Sequence, residues 1–292
     1  MTYVKPPELA TSLVDAGASK VLLSTRDTLI RAYMGGALLT LGAAFAIKIT
    51  VDTGVPLVGA ILFPIGFVML YLLGYDLLTG MFVLGPMAWL ARRPGVTTRR
   101  VLRNWGLVFV GNFAGALTVA FLVTVFVTYG FDTTINDTAN QFAAYGQKLA
   151  AIGHDRTLGY EAHGAGGWSA VFVRGMLCNW MVSTAVVGAM IAKDVAGKVI
   201  AMWLPVLLFF AMGFEHSVVN MFLFPIGIML GADFTWADYF LWNEIPTVLG
   251  NLVGGLAFTC LVIYVTHYKA AAKRTVEPEV QVAAELKVPA GV

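Results

Sequence analysis

Six long apolar stretches, at 32–50, 55–91, 105–129, 168–192, 199–232 and 245–266, alternate with polar connections along the chain. Runs this long and unbroken predict membrane-spanning helices, whereas a membrane β-barrel would show alternating segments of about ten residues. Four of the stretches have the length of one crossing, for which about 20 residues suffice. The second and fifth are longer, at 37 and 34 residues, and each carries an acid near its middle, Asp76 or Glu215, with glycine just upstream. A helical hairpin would need about 40 residues plus a polar turn. Each is therefore expected to be a single crossing, broken at mid-membrane by a short non-helical loop. Such backbone persists at that depth only where protein buries it or where it lines a wet cavity, so the pattern itself points to a pathway.

The breaks repeat. Gly74-Tyr75-Asp76 and Gly213-Phe214-Glu215 stand 139 residues apart, and so do Gly111-Asn112-x-x-Gly115 and Gly250-Asn251-x-x-Gly254. Each half holds three crossings, an odd number, so the second half must run inverted relative to the first, with a site where the broken helices meet. The paired glycines read as close helix packing. Half-helices are expected to begin near Leu77–Thr79 and His216–Ser217, and their N-termini carry free N–H groups and partial positive charge. Two of them aimed at one point favour a small anion.

Composition agrees and adds orientation. Of 292 residues, 58% are hydrophobic and 12% charged, with a mean hydropathy of +0.77. Soluble domains carry about 25% charged residues, so a soluble globule, a disordered chain and a disulfide scaffold are set aside. The net charge of +2 matters less than its placement. Arg92, Arg93, Arg99, Arg100 and Arg103 crowd one connection, Lys193 and Lys198 another, and Lys269, Lys273 and Arg274 the tail, while Lys5, Lys20, Arg26 and Arg31 precede the first stretch. The connections 51–56 and 233–244 hold no Lys or Arg, and the loop 130–167 has only Lys148 and Arg156. The positive-inside rule then places both termini in the cytoplasm, with six crossings. Residues 1–27 lack a signal-type apolar core and are expected to be retained as an amphipathic cytoplasmic segment, 28–268 to form the channel domain, and 269–292 a polar cytoplasmic tail. Cys178 and Cys260 lie in apolar stretches and read as packing residues.

At the breaks the chain resembles the formate/nitrite transporter family. Gly213-Phe214-Glu215-His216-Ser217-Val218-Val219-Asn220-Met221 is similar to that family's fifth-segment motif, Leu77-Leu78-Thr79 to its second-segment loop, and Leu177-Cys178-Asn179 to its fourth-segment motif. The resemblance covers roughly residues 7–268. It implies an all-α membrane protein of six helices in an inverted 3+3 repeat, aquaporin-like, with broken second and fifth helices and assembled as a homopentamer in a bacterial-type inner membrane. It also implies one pore per protomer for small weak-acid anions, formate or nitrite, with proton coupling. Carried over residue by residue, His216 is the central pore histidine and Thr79 its loop partner. Asn179 and Asn220 are polar pore residues, and Glu215 braces the second loop. Phe67, Leu77 and Phe209 would form the cytoplasmic constriction, and Phe63, Leu78 and Val182 the outer one. Leu78 replaces the family's usual phenylalanine. An ungapped count puts His163 where the family has a lysine at the outer mouth, leaving His163, Arg174 or Lys148 to attract the anion.

The residues themselves leave alternatives. Asp76 and Glu215 could be substrate groups, but acids at such a break more often tie down loop N–H groups. Asn179 could line a pore or make an interhelical hydrogen bond. Arg174 can snorkel outward, and the three phenylalanines could be ordinary packing. Histidine at mid-membrane is costly unless functional, and its unperturbed pKa of about 6.5 suits proton exchange. No zinc-type His/Cys spacing, phosphate loop or GxSxG stands at a plausible place, so no cofactor, metal or enzymatic activity is expected, and no nucleic-acid partner. The partners expected are a small anion, protons and the bilayer. Acetate, lactate or hydrosulfide as substrate, a neutral-solute channel, and a membrane protein without transport remain the alternatives.

Overall fold

The two long stretches break where the glycines predict. In the computed structural model, which describes residues 3–270, the second stretch forms α3 (Pro56–Leu62), α4 (Pro64–Leu72) and, after a gap at 73–77, α5 (Leu78–Leu90). The fifth forms α10 (Val195–Ala211) and, after 212–216, α11 (Ser217–Met229). Start and end of Pro56–Leu72 and of α5 are each displaced by 139 residues onto α10 and α11. Gly74 and Gly213 sit at φ +76° and +64°, in the left-handed region that favours glycine. Each closes the preceding helix in the same way. Tyr75 N–H donates to the Leu70 carbonyl at 2.9 Å, and Phe214 N–H to the Phe209 carbonyl at 3.0 Å.

Around them stand α1 (Pro6–Val21), α2 (Thr25–Thr53), α6 (Thr98–Val127), α7 (Ala143–Asp155), α8 (Leu158–Glu161), α9 (Gly164–Ile191) and a last span, Trp236–Lys269, interrupted by three π turns. Helices α2, α6, α9 and the last span are long and apolar enough to cross a membrane. They overrun the apolar stretches by several polar residues at their ends, because capping groups such as Ser24 and Thr97, not loss of hydrophobicity, start the helices. The loop 130–167 is not merely a loop. It folds into α7 and α8, with Tyr145 donating to the Ala44 carbonyl at 2.9 Å.

Close packing rests on glycine, as the GxxxG pairs suggest. A Cβ at Gly115 would overlap the Tyr33 carbonyl of α2, and one at Gly254 the Met176 carbonyl of α9. Helix α1 buries Leu9, Leu13 and Val14 and packs against α5, and its Lys20 pairs with Asp76 while Asp15 pairs with Arg93. The tail beyond residue 270 lies outside the described residues.

Candidate functional site

Two asparagines hold the half-helices in place. Asn112 Oδ1 accepts the Leu78 N–H at 2.9 Å, and its amide donates to the carbonyls of Asp76 at 2.8 Å and Ala32 at 2.7 Å. Asn251 Oδ1 accepts the Ser217 N–H at 3.0 Å, and its amide nitrogen donates to the carbonyls of Glu215 at 2.9 Å and Gly175 at 2.8 Å. Each thus satisfies the chain on both sides of a break, where an orphaned buried group would cost about 1–3 kcal/mol. Both asparagines sit in the glycine motifs, next to the first glycine of each, and that recurrence is the sequence signal for them.

At the ends so fixed, Thr79 Oγ1 lies 3.3 Å from His216 Nε2, both side chains buried. His216 is the N-cap of α11, and its Nδ1 accepts the Val219 N–H at 3.4 Å. With Nδ1 accepting, the proton of the neutral ring sits on Nε2 and donates to Thr79, leaving the threonine O–H to donate elsewhere. The imidazole stacks on Phe209, ring centroids 5.6 Å apart. Asn179 donates to the carbonyls of Thr79 at 3.1 Å and Asn251 at 2.6 Å. Of its two readings the structure favours the interhelical bond, since both amide hydrogens are spent on the frame.

The two acids are paired. Asp76 meets Lys20. Glu215, fully buried, takes Arg156 Nη1 at 3.4 Å and accepts from Tyr160 at 3.0 Å, Asn220 at 2.9 Å and Asn243 at 3.3 Å. Asn220 also donates to Asn243 Oδ1 at 2.6 Å, so its amide faces this cluster. A further acid, Glu244, is buried against the hydroxyls of Ser217 and Tyr239, brought there by the π turn Phe240–Glu244. Burial, and then the charge of Glu215, push the Tyr160 phenol up to about 12, so it stays a donor at any working pH.

A cavity of about 350 Å³ reaches His216 and Phe209 and carries Lys148 and Arg156 on its wall. A smaller one of about 50 Å³, on the side of α1, is lined by Phe67, Leu77, Lys20 and Asp76. Phe63, Leu78 and Val182 are buried. Phe209 lies on the Lys148 cavity and meets Phe63 edge-on at 5.5 Å. The turn closing α10 at its carbonyl lays its ring over His216. Of the three candidate attracting groups, only Lys148 lines the cavity. Arg174 turns to Tyr160, donating to its hydroxyl at 2.6 Å, and His163 is exposed at the N-cap of α9. Arg156, which the sequence reading passed over, was one of only two bases in its loop, and that scarcity was the available signal. Among the described residues, no three His, Cys, Asp or Glu gather where a metal could sit.

The family description "Formate/nitrite transporter" matches residues 7–265. The chain is 32% identical over 278 residues to the uncharacterized transporter YrhG of Bacillus subtilis, covering 92% of this chain and 96% of that one. It is 33% identical over 256 residues to a probable formate transporter of Methanothermobacter thermautotrophicus, covering 82% and 89%. A solved pentameric formate channel with formate bound superposes with a TM-score of 0.67 at 24% identity, covering 82% of this chain and 96% of that one.

Proposed function

Because the chain belongs to the formate/nitrite transporter family, we propose that it is a channel for small monovalent weak-acid anions, formate foremost, with proton coupling through His216. The architecture follows the same reading: six crossings in an inverted 3+3 repeat, broken at the second and fifth, with both termini cytoplasmic. Residues 1–27 serve as a cytoplasmic segment, 28–268 as the channel and 269–292 as a cytoplasmic tail. The chain works as a homopentamer in a cytoplasmic membrane, like the pentameric formate channel it superposes on. It is a transporter and not an enzyme.

Lys148 and Arg156 draw the anion into the outer cavity, where like-charged Glu215 is neutralised by Arg156. Phe63, Phe209, Leu78 and Val182 narrow the outer path, Phe67 and Leu77 the inner one. A bare anion crossing such apolar walls carries a desolvation cost of several kcal/mol. The Thr79 O–H, freed by the Nε2–H donated to it, hydrogen-bonds the arriving carboxylate. One proton taken up with each anion then turns formate into formic acid, which crosses without net charge. A proton from the outer cavity first charges the His216 ring, which returns to neutral as a proton passes through the Thr79 hydroxyl to the anion, so ring and threonine end as they began.

The observation that carries the reading is the buried Thr79–His216 contact at 3.3 Å, fixed between two half-helix N-termini. His216→Asn preserves volume and hydrogen bonding but removes the exchangeable proton. In proteoliposomes with an acidic exterior it should assemble normally, lose formate-driven internal acidification and retain at most an electrogenic leak, while Thr79→Ala is impaired less. Acidification by His216→Asn at the wild-type rate and pH dependence would make the histidine structural.

A further inference from the structure

Away from the pore, one cavity is walled by cations. It encloses about 530 Å³ and is lined by Gly95, Thr97, Arg99, Arg100 and Arg103, where the connection after α5 enters the first turns of α6. An excess of arginine on a cytoplasmic connection is ordinary and orients a membrane protein. That bias needs neither convergence on one cavity nor bracing, and here both are present. Arg103 is held from two sides, its Nη2 donating to Thr25 Oγ1 at 2.6 Å and its Nη1 to the Leu23 carbonyl at 3.5 Å. Arg100 Nη1 donates to the Gly95 carbonyl at 2.7 Å. Arg99 has no hydrogen-bonding partner among the described residues.

The placement is electrostatically unfavourable as it stands. The first turn of α6 holds no acid, and the three guanidiniums repel one another and the positive end of the helix. No carboxylate lines the cavity among the described residues. A bound anion would be attracted by each guanidinium and by the helix end, and would offset this repulsion.

The cavity's border says which anion. Leu22 lies against Gly95 and is 45% exposed, and Leu102, between the lining arginines 100 and 103, is 56% exposed. A cationic cavity opening beside exposed leucines at the end of a spanning helix matches a headgroup joined to an acyl chain. We propose that this cavity binds the phosphate of an anionic phospholipid, with Arg99 as the arm that closes on it and Arg100 and Arg103 as its fixed floor. Guanidinium forks suit phosphate oxygens, and the inner leaflet supplies anionic lipid.

The test uses the full chain purified in detergent and stripped of lipid, titrated with dioctanoyl-phosphatidylglycerol, dioctanoyl-phosphatidylcholine or inorganic phosphate. Binding is read by native mass spectrometry and by the shift in thermal unfolding. Phosphatidylglycerol should bind, and Arg99→Gln should weaken it about tenfold, the value of one charge-assisted hydrogen bond. Arg99→Lys should fall between the two. Phosphatidylcholine should bind more weakly and equally to all variants, and Lys193→Gln, an exposed cation elsewhere, should change nothing. Arg99 is exposed and outside the pore, so its loss leaves folding intact. Equal phosphatidylglycerol binding by wild type, Arg99→Gln and Arg99→Gln/Arg100→Gln overturns the proposal. So does an equal loss in Lys193→Gln, which would mean diffuse charge, or displacement of the lipid by equimolar phosphate, which would mean a free-anion site.

Discussion

Arg156 touches both stability and transport, and the two effects can be separated. Its side chain is 26% exposed, and its guanidinium lies 3.4 Å from Glu215, which is fully buried. Removing one partner of a buried pair costs up to about 3–5 kcal/mol because the other charge is left unpaired. Here the partial exposure of Arg156 and the three neutral donors remaining on Glu215 reduce this, and we expect about 2 kcal/mol for Arg156→Gln. Glu215→Gln in the same chain removes the unpaired charge and should recover most of that loss. Transport should behave differently. A unit charge about 8 Å from an anion at an effective dielectric constant of about 40 is worth about 1 kcal/mol, or about fivefold in local anion concentration. Arg156→Gln should therefore lower formate uptake about fivefold at ~10 mM salt and much less at ~150 mM, where screening shortens the reach of the charge. The assay pairs thermal unfolding in detergent with initial uptake rates in liposomes at both ionic strengths. If Arg156→Gln lowers uptake to the same extent at both ionic strengths, the loss does not come from the charge seen by the anion, and the attraction argument fails.

Three shorter expectations go with it. Gly254→Val should destabilise the fold by roughly 3 kcal/mol or more through its clash with the Met176 carbonyl, and Gly106→Ala, with open space around it, should be neutral or slightly stabilising in the same unfolding measurement. Tyr160→Phe should lower stability but leave the shape of the uptake profile between about pH 5 and 9 unchanged, because burial keeps the phenol protonated until pH rises through about 12; a new inflection in that range would refute it. Cysteine at exposed Pro94 should react with impermeant thiol reagents only from inside and at exposed Ala151 only from outside, read on a background where Cys178 and Cys260 are buried and silent.

The breaks were legible because a glycine at positive φ before a buried acid is a local requirement that one sequence window displays. The repeat was legible because both windows recur at a single offset. The asparagine hubs were harder, since the partners of Asn112 lie at residues 32, 76 and 78, on three separate elements. The same distance hid Arg156, whose partner Glu215 is 59 residues away. The stacking of Phe209 on His216 was not legible, because counting from motifs fixes position along a helix and not the direction in which the turn at its end throws the ring. Helix α7 escaped because its buried face is short and carries glycine at 146 and 153, and α8 because its four residues bury no side chain.

The asparagine hubs bond only to main-chain atoms, and this has a consequence for how the protein can diversify. Asn112 and Asn251 grip the N–H of residues 78 and 217 and the carbonyls of 76 and 215, whatever side chains those residues carry. The scaffold is therefore indifferent to the chemistry of the walls it supports. A change of side chain at Leu78 leaves the backbone bonds that hold the end of its half-helix in place. Single exchanges at 76, 78, 215 or 217 therefore leave the two asparagines' bonds to the chain available.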